Sequence, residues 1–72
     1  MADIDALNLT LSGEYAAIYA YGIIAAHLTG SQEKRALAVM AEHRQQRDRL
    51  RASINGLGGT PAAAAAIYEL PH

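Results

Sequence analysis

Glu14-Tyr15-Ala16-Ala17-Ile18-Tyr19-Ala20-Tyr21-Gly22 is the stretch on which the reading of this chain turns. It is apolar, rich in small residues, and carries a single carboxylate. At ~100° per helical residue, Leu7, Leu11, Ile18, Tyr21, Ala25 and Leu28 all fall within about 60° of Glu14. The acid therefore sits on the apolar stripe itself. A carboxylate buried there is costly unless something pairs with it, so the rest of the chain is read for what meets Glu14.

Around that stretch, Leu7, Leu11, Tyr15, Ile18, Gly22 and Ala25 recur at spacings of three and four, which marks a helix. Helix 1 is expected from about 6 to 28, with Asp5 or Asp3 as cap and a frayed start before it. Thr29-Gly30-Ser31 ends it: Gly30 suits a left-handed position, and Ser31 suits the N-cap of the next helix. So short a linker makes the two helices antiparallel neighbours. Helix 2 is expected from about 32 to 57, because Ala36, Met40, His43, Arg47, Leu50, Ile54 and Leu57 keep a four-three spacing, a heptad-type seam. Gly58 supplies the left-handed cap and Pro61 blocks resumption. Residues 62–72 read as an extended tail, with Ile67, Tyr68 and Leu70 docking on the hairpin as an apolar clasp; a helical turn at 62–67 is the alternative.

Folding about Gly30 with equal rise on both helices sets Glu14 opposite position 46, within one turn of His43 and Arg47. Two readings of that level stay open. In the first, Glu14 pairs with Arg47, whose planar fork suits carboxylate, while His43 and Tyr15 or Tyr21 add hydrogen bonds. In the second, Glu14 and His43 are metal ligands. A di-iron carboxylate half-site takes a Glu from one helix and Glu-x-x-His from its neighbour. Position 40, where that Glu belongs, is Met40, a poor ligand for iron or manganese. Glu42 is the nearest other acid but points about 100° away from His43. The first reading ranks higher, and His27 reads as a histidine of the helix C-terminus.

Composition narrows the function class. Seventy-two residues make one small domain, without cysteine and without Phe or Trp. Such chains often lean on metal or self-association. Formal net charge is −1, and no aromatic residues interleave the basic ones, so neither nucleic acid nor an anionic membrane is expected as a partner. The apolar run at 15–28 is too short for a comfortable membrane span and lacks the flanks of a signal peptide, so a cytoplasmic location is expected. No Ser/His/Asp set, phosphate loop or dinucleotide fingerprint appears, and the reading leans away from an enzyme. A third class, an adaptor using the basic face of helix 2 on an acidic partner, predicts a salt-sensitive complex.

Three segments carry a resemblance. The Glu14 to Gly22 stretch, Ala41-Glu42-His43-Arg44-Gln45-Gln46-Arg47-Asp48-Arg49-Leu50 and Leu57-Gly58-Gly59-Thr60-Pro61 resemble a ferritin-like domain family of unknown function, of actinobacterial type. Ala66-Ile67-Tyr68-Glu69-Leu70-Pro71 is similar to the tail that follows there. The resemblance implies a four-helix ferritin-like bundle, of which this chain matches the first helical hairpin. The expected fold is thus an all-α antiparallel hairpin, half of such a bundle, completed by a homodimer. No cofactor is expected on the leading reading; iron or manganese belongs to the alternative, with Glu14 and His43 as ligands and Glu42 joining from the second copy.

Overall fold

The computed structural model describes residues 2–65. Two α-helices, α1 (Ala2–Ala26) and α2 (Gly30–Gly56), pack antiparallel, and among the described residues there is no strand. The molecule measures 43 × 24 × 16 Å, one hairpin long and two helices wide.

α1 begins at Ala2 rather than near residue 6. The helix extends past the expected start because Ile4 and Leu7, two turns and one turn before Leu11, pack against the core cluster of Leu11, Tyr15 and Ile54. Asp3 and Asp5 in the first turn complement the helix dipole. Thr10 bonds back to the Ala6 carbonyl at 3.0 Å instead of capping. At the far end, tightened bonds from the His27 and Leu28 N–H groups to Ile24 and Ala25 close α1 at Ala26. His27 Nδ1 donates to the Ile23 carbonyl at 2.8 Å, satisfying one of the orphan carbonyls of the last turn.

The turn needs one left-handed residue, and Gly30 supplies it at φ +61. α2 then starts at Gly30, with extended Thr29 in the flanking position, so the N-cap is Thr29 and not Ser31. Its C-terminus is a Schellman motif. Gly58 sits at φ +80, its N–H bonds to Asn55 at 3.0 Å, and the Gly59 N–H bonds to Ile54 at 2.9 Å. No atom lies near a Cβ built at Gly58, so Gly58→Ala should cost only the left-handed penalty, about 1 kcal/mol, read as a shift in the urea midpoint.

The core is small: Leu11 and Ile54 are fully enclosed and cluster with Tyr15 toward the open end, and Ala25, Ala36 and Met40 are buried nearer the turn. Met40 packs over Gly22 of α1; a Cβ there would be 3.8 Å from its sulfur, an ordinary contact. Along the expected seam, Ala36, Met40 and Ile54 are buried, His43, Arg47 and Leu50 are half-buried, and Leu57 is exposed.

After the Schellman turn the chain doubles back as a strap without helix over 61–65. Gly59 passes so close to the hairpin that an added Cβ would lie 2.8 Å from Ile4 Cγ2 and 3.1 Å from Ile54 Cγ2. The expected clasp of Ile67, Tyr68 and Leu70 lies outside the described residues. Within them, docking is achieved by main-chain groups and by Ala62, which packs on the core.

Candidate functional site: a carboxylate–imidazole pair on an open flank

Glu14 occupies the middle of α1, and His43 the middle of α2. His43 Nδ1 meets Glu14 Oε2 at 2.6 Å, with the side chains 28% and 13% exposed. An ionised carboxylate only accepts, so the imidazole donates from Nδ1. That bond fixes the ring orientation and leaves Nε2 as the nitrogen Glu14 does not engage. The Tyr21 ring stacks on His43, with centroids 5.7 Å apart and planes at 27°. Glu14 and Tyr21 lie seven residues apart, about two turns on one face, so they meet the same histidine from α1.

Arg47 does not join them. Its Nε bonds to Asp48 at 2.9 Å, and Asp48 is 67% exposed. Arg47 lies a turn beyond His43, and His43 already holds Glu14. Reaching Asp48 keeps the guanidinium at the hydrated surface, which avoids the desolvation cost of following Glu14 inward. The expected Glu14–His43–Arg47 cluster is therefore a pair with an aromatic lid. Tyr15 does not donate to Glu14 either, since its hydroxyl is used on the opposite flank.

The side chains the alternative reading would use as metal ligands are otherwise engaged or apart. Glu14 Oε2 and His43 Nδ1 are bonded to each other, Met40 is buried against Gly22, and Glu42 is exposed. Among the described residues, no group of three or more His, Asp or Glu side chains is placed to hold a metal ion. Among the described residues, then, Glu14 and His43 are the two potential donors that meet at this level.

Open grooves lie on both sides of the pair along one flank. One, of about 380 Å³, is lined by Tyr21, Ile24, Leu28, Ala36 and Val39, with Gln32 and Arg35 at its polar edge. The other, of about 240 Å³, is lined by Thr10, Glu14, Gln46, Arg49, Leu50 and Ser53.

The other flank is closed by the strap. Asn8 works in both directions: its Nδ2 donates to the Thr60 carbonyl at 3.1 Å, and its Oδ1 accepts the Ala62 N–H at 2.7 Å. The Tyr15 hydroxyl donates to the Ala62 carbonyl at 3.0 Å and accepts from Arg51 Nη1 at 2.6 Å. The sequence reading missed Asn8, Tyr15 and Arg51 in this role. The available signal was a lone amide on the apolar side of a helix start, opposite a chain returning from Gly58-Gly59.

Residues 6–72 match the family model described as a domain of unknown function (DUF4439), which spans the hairpin, the polar pair and the strap together. The chain belongs to that family. No curated protein and no solved structure matches it. In this DUF4439 chain no helix among the described residues is long and apolar enough to cross a membrane. What its site offers chemically is an oriented imidazole between two grooves, on a flank that the described residues leave open.

Proposed function

We propose that this chain is a helical-bundle protein, half of a ferritin-like four-helix bundle, that self-associates through its apolar helix faces. The supporting observation is the position of the Glu14–His43 pair. It is mostly shielded, yet it lies between two open troughs on one flank, which is how half of a bundle interior looks without its other half. Between Tyr15 and Ala26, α1 carries no charged side chain. A helix apolar all round is one that packs against more than one neighbour. The core of a single hairpin is also slight for a stable domain. Two copies related by a two-fold axis rebuild four helices.

The alternative, an iron or manganese site, rests on the unengaged His43 Nε2 and needs donors from a second copy. Native mass spectrometry of protein purified without chelator separates the readings. The expected species is a metal-free dimer. One or two iron or manganese ions per dimer would replace the structural reading with the metal one. A monomer at micromolar concentration would overturn self-association altogether.

A further inference from the structure

We infer that the second copy docks on the strap-free flank in an antiparallel, two-fold arrangement, with Leu57 of one copy filling the Tyr21–Ile24–Val39 groove of the other and Asp3 meeting Arg35. This rests on the self-association proposed above and adds the face and the orientation.

The choice of flank follows from two pairs of sequence neighbours. Glu14 and Leu50 line a groove, while the next residues, Tyr15 and Arg51, serve the strap. Neighbours on a helix point about 100° apart, so the grooves and the strap lie on opposite sides of the hairpin. Three hydrogen bonds from Asn8 and Tyr15 hold Thr60 and Ala62 across the strap side. A helix from another copy has no place there, and none of the described residues crosses the groove side in this way.

The orientation follows from what the flank presents at each end. A two-fold contact uses the same patch on both copies. An axis crossing the hairpin at the level of Glu14, halfway along α1, sets the turn end of one copy over the open end of the other. At the turn end lies the apolar groove, with Arg35 at its edge. At the open end, Leu57 is 51% exposed. It follows Val39 by about five whole turns and so shares its face. Asp3 precedes Tyr21 by about five whole turns and likewise shares its face. Neither Asp3 nor Arg35 makes an ion pair among the described residues. The arrangement therefore offers the exposed leucine an apolar groove, and the two unpaired charges each other, twice per dimer.

The chain has no cysteine, so single engineered cysteines report contacts without background. Under mild oxidation Gln46→Cys, near the axis, should link to itself. Asp3→Cys should link only when mixed with Arg35→Cys. Arg44→Cys, about 100° round from His43 on the strap side, should stay unlinked. Leu57→Ser should weaken dimerisation on the order of a hundredfold, because each dimer exposes two leucines, while the helical circular dichroism of the chain is kept. A dimer in which Asp3→Cys links to itself would overturn the antiparallel orientation. A dimer in which Arg44→Cys links as readily as Gln46→Cys would overturn the choice of flank. A wild-type chain that stays monomeric by light scattering would instead sink self-association itself, and this inference with it.

Discussion

Ile54→Ala should lower the unfolding free energy by about 2–5 kcal/mol. Ile54 is fully enclosed between Leu11, Tyr15 and the returning strap, with Gly59 passing against its Cγ2. Removing three carbons there leaves a void that the surroundings cannot easily close. Helix α2 is held in place by its own Schellman turn, and Gly59 is held by its bond to the Ile54 carbonyl. At roughly 0.05–0.15 kcal/mol per residue, a domain of this size has little stability to spare, so the variant should be largely unfolded at moderate temperature. Urea titration at fixed protein concentration, followed by circular dichroism, measures it; the concentration matters because association adds to apparent stability. Leu9→Ala, at a position 77% exposed, is the control. A loss for Ile54→Ala no greater than for that control would mean that the core is not where the structure puts it.

Glu14→Ala should cost about 1–3 kcal/mol, because it leaves the His43 Nδ1–H half-buried without an acceptor. The informative quantity is the coupling. A double-mutant cycle between Glu14 and His43 should give an interaction of about 0.5–3 kcal/mol, while a cycle between Glu14 and Arg47 should give close to nothing. Arg47 bonds to Asp48, so its removal takes nothing from the carboxylate. Glu14→Gln should fall between wild type and Ala, since its amide oxygen still accepts from Nδ1 but without charge assistance. A Glu14–Arg47 coupling larger than the Glu14–His43 coupling would refute the pairing seen here. These cycles also bear on the proposed bundle. If the pair lies inside a dimer, the cost of Glu14→Ala should grow as protein concentration rises into the range where the dimer forms.

The hairpin was legible because its determinants are local. Leu11, Ile18 and Ala25 recur with the helical period, Gly30 is the one residue able to take φ +61 between the helices, and Gly58 does the same at φ +80. Those features also place Glu14 and His43 at one level, since antiparallel helices of equal rise align residues by simple counting. Counting could not choose between His43 and Arg47. Both lie within a turn of the acid, and the choice depends on which charge can stay hydrated elsewhere. The start of α1 differs for a related reason: local signals put a cap at Asp5 or Asp3, while packing of Ile4 and Leu7 on the Leu11, Tyr15 and Ile54 cluster carries the helix back to Ala2.

By itself, then, the sequence determined two antiparallel helices, the glycines at which they turn and stop, and the level at which a lone carboxylate meets His43 and Arg47 across their seam. Periodicity and the backbone freedom of glycine act within a few residues and need no folded context. Only the tertiary structure decided that Arg47 turns out to Asp48, that Asn8 and Tyr15 bind the main chain of a returning strap with Arg51 on the Tyr15 hydroxyl, and that among the described residues one flank is thereby closed and the other left open. Each of these is a competition among partners far apart in the chain, settled by desolvation and by hydrogen-bond geometry that exist only once the helices have packed.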